Sequence, residues 1–182
     1  MVTAAKQYFG LLETEQVRFI ESDGRVYLNR HKEPYDLILV DAFREKGVPF
    51  HLLTREFYTL VKERLTPGGV MAMNLAGGTK LYVSSLVTLR AVFATVDVYP
   101  DWADRSEVQS IVVAVPGEAP NLATLTQRAA ALQDRYHFRY RLPDLLKKRV
   151  ANQNADGGEL LTDDFAPVNL YETTPAGGRK RR

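Results

Sequence analysis

The sequence predicts an α/β fold: a mostly parallel sheet with helices on both faces and an antiparallel pair at one edge. Three observations predict it. Apolar runs of strand length alternate with segments of helical periodicity along most of the chain, the pattern of successive βαβ units. One run, Leu37–Val40, is apolar at four consecutive positions, as in a strand buried on both faces of a parallel sheet. The last two strand runs, 96–99 and 110–115, are joined by a loop carrying Trp102 with no helix between them, so they pair antiparallel at an edge.

In chain order, the first element is a helix already under way. Val2, Ala5 and Phe9 share a face and Gly10 stops it. Val17–Ile20 reads as a strand, Glu21-Ser22-Asp23-Gly24 as a turn, and Arg25–Arg30 as a short helix ending before Pro34. Asp36–Asp41 is the central strand. A helix begins near Thr54, a good N-cap residue, with Phe57, Leu60, Val61 and Leu65 along one side. Pro67-Gly68-Gly69 breaks it, and Val70–Leu75 forms the next strand. Gly77-Gly78 leads into a helix marked by Tyr82, Leu86, Leu89 and Phe93; a later one carries Leu122, Leu125, Ala129 and Leu132; Pro143 opens a last short one. Residues 151–172 read as ordered loop and 173–182 as a basic, disordered tail.

The chain of 182 residues fits one α/β domain over 1–172. Its apolar fraction of 45% and charged fraction of 25% are ordinary for a globular protein. A net charge of +2, concentrated in the tail, is too small to argue for nucleic acid. The absence of cysteine excludes disulfides, thiolate metal sites and a cysteine nucleophile. No apolar run approaches the ~18–20 residues of a membrane span, and the first residues lack the apolar core of a signal peptide; the expectation is a cytoplasmic protein without a membrane partner. His31, His51 and His137 lack metal-ligand spacing, so no metal is expected.

Asp23 and Asp41 each follow an apolar run. In a parallel sheet both fall at the same rim, facing one crevice, where open α/β sheets bind ligands. Carboxylates there bind hydroxyls or amines and one can act as a base; aspartate at such positions also caps helices and turns. Asn74 ends its strand beside Gly77-Gly78, facing the crevice or serving as a turn residue, and that glycine pair is too short to be a phosphate loop. His51 either lines the crevice or packs. Tyr8, Phe9, Trp102 and the Tyr136–Tyr140 run read as core or edge packing.

Read in order, YFGL, SDGRVYL, YDLILVDAF, VPFHLLTREFY, LTPGGV and LTDDFAPV resemble the spermidine synthase family, the polyamine aminopropyltransferases, and in particular its bacterial spermidine-synthase-like branch. The resemblance spans residues 1 to about 170. It implies a three-layer, Rossmann-like sheet of the class I methyltransferase type, truncated at its N-terminus relative to the family, and a homodimer. It implies that Asp23 and Gly24 contact the adenine of a nucleoside ligand, with Ala42 beside it. Asp41 then matches the first carboxylate of the gate loop, which orients the acceptor amine and takes its proton. Phe43, Arg44, Glu45 and His51 fall in that loop. Arg44 stands where the family carries a second carboxylate, and Glu45 follows it. Asp163 and Asp164 match a Thr-Asp-Asp element, or serve a turn.

The implied reaction moves an aminopropyl group from decarboxylated S-adenosylmethionine to an amine acceptor, with the nucleoside as co-substrate and no tightly bound cofactor. The alternatives are an S-adenosylmethionine-dependent methyltransferase relative and a non-catalytic scaffold or regulatory protein of the same fold. The family's hairpin domain, glycine-rich loop and ribose-binding carboxylate precede the matched region. Losing about two charge-assisted hydrogen bonds costs ~3–6 kcal/mol, roughly a hundred- to ten-thousand-fold in affinity, so weak nucleoside binding by this chain is expected. In the parent fold the absent strands lie between 17–20 and 36–41, and the expectation is that these two strands close up as a right-handed βαβ unit.

Overall fold

The computed structural model of the protein describes residues 2–43, 48–101, 109–165 and 167. The chain divides into two compact units, Met1–Lys32 and Glu33–Arg182.

In the first unit, helix α1 (Val2–Tyr8) ends at Gly10, whose φ of 65° suits a residue without Cβ. Helix α2 (Gly24–Arg30) is capped by Asp23, and it closes at His31, whose ring stacks on Tyr27 with centroids 4.0 Å apart. The expected strand at Val17–Ile20 does not form. The backbone N–H groups of Gln16 and Val17 donate to Thr14 Oγ1 at 3.2 and 3.0 Å, and that of Phe19 donates to Glu13 Oε1 at 3.3 Å. Local side-chain acceptors take the donors that a ladder would need. Val17 and Ile20 are exposed. The expected βαβ pairing of 17–20 with 36–41 fails with it.

The second unit is built on a five-stranded sheet. Strand β1 (Tyr35–Val40) leads through a single 3-10 turn (Phe50–Leu52) into helix α3 (Arg55–Glu63), strand β2 (Leu65–Ala76) and helix α4 (Lys80–Arg90). Strands β3 (Thr95–Asp101) and β4 (Gln109–Val115), helices α5 (Leu122–Tyr136) and α6 (Leu142–Leu146), and the two-residue strand β5 (Val150–Ala151) complete it. The strand order is β1-β2-β4-β3-β5. β3 and β4 are antiparallel, as their helix-free connection predicts, but β4 also runs antiparallel to β2, so β1 with β2 is the one parallel pair among the described strands and the sheet is mixed rather than mostly parallel. β5 adds antiparallel to β3 inside what reads in sequence as loop.

Pro67-Gly68-Gly69 does not interrupt β2 but bulges it. Tyr35 faces Leu65 and Leu37 faces Val70, so five steps on β2 match two on β1. Glycine suits position 69, since a Cβ would meet the backbone of Thr66 and Tyr35 at 3.0 Å and push it aside. Beyond the bulge β2 alternates: Met71, Met73 and Leu75 are buried on the face toward α3 and α4, while Val70, Ala72 and Asn74 are half-buried on the other. Leu37 and Leu39 of β1 share that second face in register with Val70 and Ala72 and are exposed. α4 is buried along most of its length because residues 158–161 run over it. Glu159 N–H donates to Ser84 Oγ at 3.0 Å and Leu161 N–H to Thr88 Oγ1 at 2.9 Å. The aromatic residues expected to pack are not core, for Tyr8 and Phe9, and Tyr136, Phe138 and Tyr140 from the last residue of α5 onward, are all exposed. The tail 173–182 and the Trp102 loop lie outside the described residues.

Candidate functional site at the rim of β1 and β2

Because β1 and β2 are parallel, their carboxyl ends reach the same rim of the sheet. The last paired rung is Val40 with Met73. One step further the pleat brings Asp41 opposite Asn74, and Asn74 Nδ2 donates to Asp41 Oδ1 at 3.3 Å. The backbone register of an apolar parallel pair thus ends in a carboxamide holding a carboxylate. Asp41 is exposed, Ala42 behind it is half-buried, and Phe43 is 41% exposed. Arg44 and Glu45 lie outside the described residues. Past them, Val48 is buried, and His51 sits half-buried in the 3-10 turn with its ring edge-on to Phe50 at 5.9 Å.

The gate segment is anchored at its far end. Thr54 is fully buried at the N-cap of α3, where its Oγ1 accepts from Phe57 N–H at 3.3 Å and donates to Asp163 Oδ1 at 2.7 Å. Asp163 N–H in turn donates to Glu56 Oε2 at 2.9 Å, and Arg55 N–H to Leu161 O at 2.8 Å. The Thr-Asp-Asp element is therefore a clamp on the start of α3, closed by the pairing of Thr162 with Phe165.

Asp23 and Gly24 belong to the first unit. Asp23 Oδ1 accepts the Val26 N–H at 3.0 Å, so one carboxylate oxygen caps α2. A Cβ added at Gly24 meets nothing within 4 Å, so helix packing does not require glycine there and the backbone is open to approach. Asp23 and Asp41 thus each have a defined setting in their own unit.

The other histidines are helix-end residues: His31 Nδ1 lies 3.0 Å from Tyr27 O, and His137 closes α5 in the left-handed region at φ 50°. Among the described residues no group of three or more His, Cys, Asp or Glu side chains is placed to hold a metal ion, and no helix is long and apolar enough to cross a membrane. A cavity beside Arg90, Asp97 and Arg149 lies at the start of β3 and includes neither Asp41 nor Asn74. Its cations are structural ties: Arg149 Nε donates to buried Asp97 Oδ2 at 2.7 Å, and Arg90 Nη2 to Gln153 O at 2.6 Å.

Asn74 is one of the residues that sequence reasoning leaves with two readings. The readable signal is its place in the strand, since asparagine is depleted in strands and here interrupts an apolar alternation in line with the strand-end aspartate.

Comparison with known proteins places this geometry in context. The profile of the spermine/spermidine synthase domain family matches residues 1–99. A polyamine aminopropyltransferase of Vibrio vulnificus is 31% identical over 173 residues, covering 92% of this chain. The chain spans 57% of that relative's length and 40% of that of a second such relative, from Bifidobacterium longum. Among solved structures, a spermidine synthase from Corynebacterium glutamicum, described as probable, superposes with a TM-score of 0.65 at 18% identity, covering 91% of this chain and 61% of that one. Human methyltransferase-like protein 13, solved in complex with SAH, superposes with a TM-score of 0.64 at 25% identity, covering 76% and 68%. The fold is that of the spermidine synthases and class I methyltransferases.

Proposed function

The chain belongs to the spermine/spermidine synthase family, and from that premise we propose that it serves aminopropyl transfer from decarboxylated S-adenosylmethionine to an amine acceptor. The observation that carries the reading is the exposed Asp41 carboxylate at the carboxyl end of β1, held by Asn74 from β2. The acceptor's neutral nitrogen attacks the aminopropyl carbon next to the sulfonium. The new C–N bond forms as the C–S bond breaks, its electron pair stays on sulfur, and methylthioadenosine leaves. Asp41 orients the attacking amine and receives the proton that the nitrogen sheds. Holding nitrogen and carbon in line supplies the rest of the rate. Asp23, Gly24 and Ala42 serve the nucleoside, and Phe43, Arg44, Glu45 and His51 belong to the gate. The setting is cytoplasmic, and the working form is a homodimer.

A second reading, methyl transfer from S-adenosylmethionine, is favoured by the likeness to methyltransferase-like protein 13. Calorimetry with decarboxylated S-adenosylmethionine, S-adenosylmethionine and methylthioadenosine separates the two: binding of the first and third alone supports the transferase, and binding of the second alone supports the methyltransferase. In a putrescine transfer assay, Asp41→Asn is expected to lower kcat by ~10²–10⁴-fold, the usual worth of a positioned base. An unchanged rate would remove Asp41 from the chemistry.

A further inference from the structure

We propose that Asn74 is the positioning residue for Asp41: its side-chain amide, fixed by the strand register, holds the carboxylate in one orientation at the rim. The proposal rests on the reading of Asp41 as the reacting carboxylate. Three observations carry it. Asn74 and Asp41 occupy the first rung beyond the last paired one, Val40 with Met73, so their backbones meet without any loop conformation having to be chosen. Asn74 Nδ2 donates to Asp41 Oδ1 at 3.3 Å. Asn74 Oδ1, on the other side of the same amide, is shielded from solvent and accepts no hydrogen bond among the described residues.

The third observation is the informative one. A buried acceptor without a donor destabilises the fold, and an apolar residue would suit this strand position better, as Val70 and Ala72 do on the same face. Turning the amide over does not help, because its oxygen would then face a carboxylate oxygen, two acceptors with no proton between them. The amide therefore has one workable orientation, with its donor group toward Asp41. A residue that costs stability where it stands and serves a neighbouring carboxylate is what a functional position looks like. The held carboxylate keeps its second oxygen in a fixed place for the attacking amine, and loosening such a group by about an ångström costs up to ~10²-fold in rate.

The test compares Asn74→Leu and Asn74→Asp in the whole chain. Leucine keeps the branching at Cγ in a larger side chain and removes both the donor and the unsatisfied oxygen; aspartate keeps the shape and replaces the donor with a second carboxylate that repels Asp41. Three-bond couplings at the Asp41 β-protons report its χ1 rotamer, and a melting curve reports stability. In the native chain Asp41 is expected in one rotamer; in both variants it averages over several, with Asn74→Leu melting at or above the native temperature. Transfer to putrescine is expected to fall ~10-fold in kcat with the amine KM nearly unchanged. If either folded variant keeps Asp41 in its native single rotamer, or if the native chain already averages, the proposal is overturned whatever the activity. If Asp41 loosens as expected while the native chain transfers nothing, the positioning role stands and the transferase reading falls.

Discussion

Glu56, in the first turn of α3, carries a charge whose worth depends on pH. Burial pushes its carboxyl up, but its own backbone N–H, the Asp163 N–H at 2.9 Å and the Arg55 guanidinium at 3.0 Å outweigh that and hold it below the usual carboxylate range. A carboxylate lowered in the folded state adds stability above its unfolded value of about 4.3 and loses it as pH falls through the folded one. Glu56→Gln should therefore lower stability at neutral pH, and its gap to the native chain should close in acid. Urea titrations of both proteins at neutral and strongly acidic pH check this, and a gap of constant size would show that the charge contributes nothing. Residue-scale features of this kind were only partly legible. Asp41 could be found because a carboxylate follows four apolar strand residues. Asp23 offered two readings, and its cap to Val26 N–H is the one that local geometry displays. The Asn74–Asp41 pair needed the register of two strands, which single-strand periodicity does not contain.

Thr54 shows how an element depends on a contact more than a hundred positions away. It caps α3 and donates to Asp163 Oδ1 while fully buried. Thr54→Val keeps the shape and removes both bonds, so a loss of ~1–3 kcal/mol is expected. Asp163→Ala removes only the donor's partner and should cost less, and the double variant should cost less than the sum of the two. Additive losses in urea denaturation would show that the two side chains act independently. The start of α3 was readable because a threonine stands just ahead of an amphipathic run; its clamp was not, because nothing local ties residue 54 to residue 163. The same asymmetry explains the failed strand. Val17–Ile20 has strand-like composition, but Thr14 and Glu13 capture its N–H groups, and a strand without a partner has no other stabilisation. Pro67-Gly68-Gly69 read as a break because its residues suit turns; in the sheet the same residues make a bulge, with Gly68 at φ 86°.

At the scale of the whole molecule, β1 stands at the edge of the sheet among the described strands. Its side chains Leu37 and Leu39 are 53% and 68% exposed. Natural edge strands are usually blunted by charged side chains, above all lysine, by proline or by a covering element; β1 carries one charge, Asp36, which accepts from Thr66 Oγ1 at 2.8 Å, and no lysine or proline between Tyr35 and Val40. Such an edge pairs readily with another chain, and the apolar face it shares with Val70 and Ala72 adds burial to backbone pairing. We therefore predict that the chain self-associates as its concentration rises, and that Leu39→Lys reduces this. Leu39 gives up little burial in the single chain, so the substitution should leave its melting temperature nearly unchanged. Sedimentation velocity over a concentration series distinguishes the outcomes. A native chain that stays monomeric throughout, or a Leu39→Lys variant that associates equally well, would mean that the edge is already satisfied and that any dimer forms elsewhere. Because Leu39 lies two positions before Asp41, association through this edge would also bring a second chain close to the rim where the carboxylate stands. Transfer activity should then depend on protein concentration in the native chain and lose that dependence in Leu39→Lys.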